Sequence, residues 1–82
     1  MAFFRLDVRR GVHRFLRDLE DVDTAVRLDR CILGLADEPV PDTAVNVNAV
    51  TGLYCLYFES FAILYRVYES ESRISVYTIE SL

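Results

Sequence analysis

Arg66 and Tyr68, then Arg73 and Tyr77, are the side chains in this sequence best equipped for recognition chemistry. The members of each pair are an even number of residues apart, which puts them on one face of a β-strand. Guanidinium groups beside phenols bury area at low entropic cost and keep polar tips usable. Tyr57 and Leu64 fall on the same face by the same alternation. Such a surface suits a protein partner, with Arg66 and Arg73 meeting the carboxylates of an acidic segment. The alternative is that a loop, or a second copy of the chain in a homodimer, covers this face.

Other chemistries find little to work with. Cys31 and Cys55 have no second pair and no His at ligand spacing, so a zinc site is excluded and two free thiols are expected. His13 has no carboxylate or Cys four residues away, and no catalytic residue is assigned. Glu20-Asp21-Val22-Asp23 lacks the Gly and terminal Glu of a calcium loop. Those acids suit the N-terminus of a following helix instead, where the dipole favours negative charge. No cofactor or metal is expected.

All nine basic residues are Arg, and the net charge is −4. Arg9, Arg10, His13, Arg14 and Arg17 crowd one short helical stretch, but no aromatics interleave on that face. A solvated face is the better reading, and direct binding of nucleic acid is not expected. The 82 residues make one domain, 1–82, and a 52% hydrophobic content argues against disorder. The longest apolar run, Phe61 to Tyr65, is far short of a membrane span, and no secretory signal opens the chain. A soluble cytoplasmic protein without membrane contact is expected.

The elements that must position the four side chains lie between Leu53 and Ile79. Three runs rich in aromatic and β-branched residues, 53–58, 61–68 and 73–79, are separated by Glu59-Ser60 and by Glu69 to Ser72. These are strands and hairpin loops. Loop length sets the register, with Phe58 opposite Phe61, Val67 opposite Ile74 and Tyr65 opposite Val76. One face then carries Tyr54, Leu56, Phe58, Phe61, Ile63, Tyr65, Val67, Ile74 and Val76 and is the core face. The other carries Cys55, Tyr57, Ala62, Leu64, Arg66, Tyr68, Arg73, Ser75, Tyr77 and Ile79.

Upstream, Ala2 to Leu6 reads as an edge strand, and Asp7 as the N-cap of a first helix. Val8, Val12, Phe15, Leu16 and Leu19 follow with helical period. A second helix runs from about Thr24 to Ala36, with Ala25, Leu28, Ile32 and Leu35 on one face, and Pro39 stops it. Thr43 to Thr51 is either loop or short strand. The order is β-α-α-β-β-β. Its two helices bury their stripes on one face of an antiparallel sheet, an α+β two-layer fold.

The residues resemble the RelE/ParE superfamily of small bacterial toxins from toxin–antitoxin modules. The resemblance runs through Asp29-Arg30-Cys31-Ile32-Leu33-Gly34-Leu35-Ala36-Asp37-Glu38-Pro39. It continues through Gly52-Leu53-Tyr54-Cys55-Leu56-Tyr57 and Phe61-Ala62-Ile63-Leu64-Tyr65-Arg66-Val67, and ends in Arg73-Ile74-Ser75-Val76-Tyr77-Thr78-Ile79. It implies the same fold and an antitoxin or cellular target as protein partner. The family's ribosome-dependent nucleases carry basic residues where this chain has Cys55 and Tyr57, and an Arg where it has Ala62. Their Gly-Asp turn corresponds to Glu59-Ser60, and their C-terminal Arg and Tyr would lie at or beyond Leu82. The resemblance therefore implies a toxin-like protein that binds protein and leans away from enzyme activity. The other readings are an mRNA interferase with a rearranged site at Arg66, Tyr68, Arg73 and Tyr77, or a structural homodimeric module.

Overall fold

In the computed structural model, which describes residues 3–82, the chain begins with β1 (Arg5–Val8), α1 (Arg10–Asp18) and α2 (Val22–Leu33). It continues with β2 (Ala44–Asn48), β3 (Leu53–Phe58), β4 (Phe61–Tyr68) and β5 (Arg73–Ser81). The strands form one sheet in the order β1-β5-β4-β3-β2. Both helices lie on one face of it, the α+β layering that their single apolar stripes require.

The meander keeps the expected register, with Phe58 opposite Phe61, Val67 opposite Ile74 and Tyr65 opposite Val76. Leu56, Phe61, Ile63, Tyr65, Val67, Ile74 and Val76 therefore share the helix side and are buried. Val12 of α1, Leu28 and Ile32 of α2, and Leu35 of the 3₁₀ turn that follows close the core over them. Phe15 meets Phe61 edge-on, with ring centroids 5.9 Å apart.

The far end of β5 changes sides. A β-bulge lets the adjacent residues Leu64 and Tyr65 face Thr78 and Val76, leaving Tyr77 without a partner of its own. The extra residue reverses the alternation beyond it. Ile79 consequently stands opposite Ile63 and is buried in the core, not on the outer face as the simple alternation has it.

The first strand also differs. Ala2 lies outside the described residues, and β1 extends to Val8 because Arg5-Leu6-Asp7-Val8 alternates polar with apolar. Leu6 and Val8 thereby join the core. Asp7 is a strand residue, not a helix cap; Arg9 precedes α1 and its side chain makes no capping bond. β1 pairs with β5 in parallel, so the sheet is mixed rather than wholly antiparallel. No hairpin loop joins these two strands, so nothing imposes an antiparallel pairing on them.

The stretch from Thr43 to Thr51 resolves into β2 and a turn. Asn48 Oδ1 accepts the N–H groups of Val50 and Thr51 at 3.0 and 3.3 Å, which bends the chain back towards β3. Gly52 then adopts φ 71°, and a Cβ there would lie 2.7 Å from the Val67 carbonyl oxygen. Gly52→Ala is expected to lower stability by about 1–3 kcal/mol, read as a drop in the urea midpoint at unchanged slope.

Asp21 caps α2, accepting the N–H of Asp23 at 3.0 Å and the Thr24 hydroxyl at 2.9 Å. The Thr24 side-chain and backbone bonds, helped by Asp23 and Arg27, hold its carboxyl below the usual range. Arg27 reaches across to Glu59 in the β3–β4 turn at 2.8 Å and lowers that carboxyl as well. Carboxyls depressed in the folded state add stability above their unfolded pKa values, and that stability is lost as the pH falls through the folded ones. The melting temperature should accordingly fall on acidification. Asp21→Asn with Glu59→Gln should flatten that acid limb, since Asn still caps a helix.

Candidate partner-binding face

Neither helix covers the opposite face of the sheet. Strand alternation brings Arg66 and Tyr68 of β4 and Arg73 and Tyr77 of β5 out on that side. These four form one cluster. The guanidinium carbons of Arg66 and Arg73 lie 4.4 and 4.0 Å from the centre of the Tyr68 ring. The Tyr68 and Tyr77 hydroxyls are 3.1 Å apart.

Each guanidinium is fixed from behind. Arg66 Nε donates to the Thr51 carbonyl at 2.7 Å, tying β4 to the turn after β2. Arg73 Nη1 donates to Ser75 Oγ at 2.8 Å, and Ser75 is itself buried. Two acids stand nearby, Glu71 at 3.4 Å and Asp7 at 3.7 Å from Arg73. Both carboxylates are well exposed, so this pairing is weak and exchangeable.

A fifth member was not evident from the sequence. Arg9 places its guanidinium carbon 4.5 Å from the centre of the Tyr77 ring. The sequence reading assigned Arg9 to the solvated side of a helix. It instead sits between β1 and α1, with its N–H donated to the Val76 carbonyl at 3.1 Å. The usable signal is that Arg5, Asp7 and Arg9 continue one period-two series.

The phenols are not equivalent. Their hydroxyls share one hydrogen bond, and guanidiniums lie against both rings. That bond, then the charges of Arg66 and Arg73, push the Tyr68 hydroxyl below the usual tyrosine range against the effect of burial. The hydrogen bond with Tyr68, then burial, pushes Tyr77 up.

Tyr57 and Leu64 do not join the cluster. Leu64 lies half-buried opposite Thr78, and Tyr57 lies on β3 opposite Ala62, 48% exposed. The outer face thus divides into a cationic, aromatic half over β4 and β5 and an uncharged half over β3 and β2. On the helix side, a groove of about 590 Å³ runs between α1 and α2, lined by apolar residues that include Leu16, Leu19, Val22 and Val26. His13, Arg17 and Arg30 also line it. Among the described residues, no helix is long and apolar enough to cross a membrane.

No family model matches the chain, and no curated protein matches it. Solved structures do. A chain of the toxin–antitoxin complex RelBE2 from Mycobacterium tuberculosis superposes with a TM-score of 0.79 at 13% identity, covering 100% of both chains. The fold is RelE-like. The RelE–RelB complex from the archaeon Pyrococcus horikoshii gives 0.80 at 18% identity, over 96% of this chain and 94% of that one. The isolated Escherichia coli RelE toxin gives 0.74 at 15% identity, over 98% of this chain and 84% of that one. In each case the likeness spans 96% or more of this chain.

Proposed function

We propose that this chain is a toxin-like component of a bacterial toxin–antitoxin pair, acting in the cytoplasm by binding protein and not by cutting RNA. The observation that carries the reading is the set of guanidiniums at Arg9, Arg66 and Arg73, fixed over Tyr68 and Tyr77 on an open sheet face. Cations held over rings cost little further ordering when a partner arrives, and aromatic and Arg side chains are the usual anchors of interfaces. An acidic helix or extended segment of an antitoxin, or of a cellular target, fits there with its carboxylates replacing Asp7 and Glu71. The fold shared with chains of toxin–antitoxin complexes supports the same reading. Inducing the gene in bacteria should slow growth, and inducing it with the adjacent gene should restore growth. Equal growth in both cases, with the protein present, would count against the proposal.

Attack of a 2′-hydroxyl on mRNA needs positive charge at the phosphate and an acid/base pair. Cys55, Tyr57 and Ala62 leave the β3 side of the face uncharged. Purified protein is therefore expected to leave mRNA intact, with or without translating ribosomes. A second reading rests on one observation, the Tyr68 ring packed against the Arg66 and Arg73 guanidiniums, which sets an acid/base group beside cations. Specific cleavage that disappears in Arg66→Ala or Arg73→Ala would establish this rearranged interferase instead.

A further inference from the structure

β2 is an edge of the sheet, and from Val45 to Asn48 every residue is exposed. Val45 and Val47 are 52% and 54% exposed, and Val50 in the following turn is 95% exposed. Edge strands are ordinarily protected by charge, by proline or by a covering element, because their free N–H and C=O groups template further pairing. Here the strand carries none of these. From Thr43 to Phe58, sixteen consecutive residues, there is no charged side chain, in a chain whose composition is 27% charged. Its one protective feature is a bulge at Val47, which pairs with no residue of β3 and adds twist but no charge. The opposite edge, β1, is protected by contrast, since Arg5 and Asp7 are both exposed along it.

We propose that β2 is a self-association edge, pairing antiparallel with β2 of a second copy about a two-fold axis at Asn46. The occupant is argued from charge and from sequence symmetry. Two copies of a chain with net charge −4 repel, and the uncharged β2–β3 hairpin is where they can approach without opposing like charges. An acidic partner would gain nothing on this edge and is drawn to the arginine cluster. Around Asn46 the order Ala44-Val45-Asn46-Val47-Asn48 is nearly palindromic. Antiparallel pairing sets Val45 opposite Val47 of the second copy, and Asn46 opposite its own counterpart, where two carboxamides can exchange hydrogen bonds. The contact is isologous and closes after two copies. It joins the sheets through their edges and leaves both arginine–tyrosine clusters open. A five-residue edge buries little area, so the dimer should be concentration-dependent rather than obligate.

Sedimentation velocity over a concentration series tests this on the native chain, Val45→Lys and Val47→Lys. The native mass should rise from monomer to dimer, with hydrogen exchange at Ala44 to Asn48 slowing in step. Each lysine enters the symmetric contact twice and should move the midpoint about tenfold or more to higher concentration. Circular dichroism should show both variants folded, since both sites are exposed. A native chain that stays monomeric at every concentration overturns the proposal. So does a dimer that ignores both lysines, or one that forms without protecting the β2 amides.

Discussion

Ile63→Ala is expected to destabilise the fold by about 2–5 kcal/mol, a large share of what so small a domain possesses. Ile63 is fully buried in β4, between Leu56 on β3 and Ile79 on β5. Removing it leaves a void under both helices, where close packing allows little collapse. Equilibrium urea unfolding followed by circular dichroism reads the loss directly. A cost of about 0.5 kcal/mol, typical of a surface position, would mean that the helices do not rest on this side of the sheet.

Tyr68→Ala and Tyr77→Ala are expected to weaken partner binding by about 1–3 kcal/mol each while leaving the thermal melt nearly unchanged. Both rings are half-buried by guanidiniums and by each other rather than by the core. Their removal therefore frees Arg9, Arg66 and Arg73 without opening a cavity under the helices. Because the two hydroxyls form one hydrogen bond, the double variant should lose less than the sum of the singles. Arg66→Ala should act partly through the salt dependence of association, as a charge at a binding rim does. If both tyrosine changes unfold the protein and spare binding, the sheet face is structural and the partner lies on the helices.

The core was legible because loop length and period two fix cross-strand neighbours over short distances. Phe58 faces Phe61 across two residues, and that parity carries through Ile63 and Tyr65. Parity fails where one residue is inserted. No local feature of Val76-Tyr77-Thr78 announces a bulge, so Ile79 was placed on the wrong side. The extent of β1 was obscured because Val8 fits both a strand ending at that residue and the stripe of a helix starting there. β2 stayed ambiguous for a related reason, since Val45 and Val47 alternate as in a strand yet are exposed on both counts. Of the candidate face, Arg66, Tyr68, Arg73 and Tyr77 come together as the alternation implies. Tyr57 shares their side but lies a strand away on β3, and Leu64 is half-buried opposite Thr78. Arg9 depends on the path of the chain between β1 and α1, which follows from tertiary packing and not from the residues beside it.

The most direct test is co-purification of the adjacent gene's product with the native chain and with a Tyr68→Ala, Tyr77→Ala double variant at matched expression. Retention by the native chain and loss from a double variant that still melts cooperatively is the predicted result. Equal retention by both would contradict the assignment of the arginine–tyrosine face as the partner-binding site.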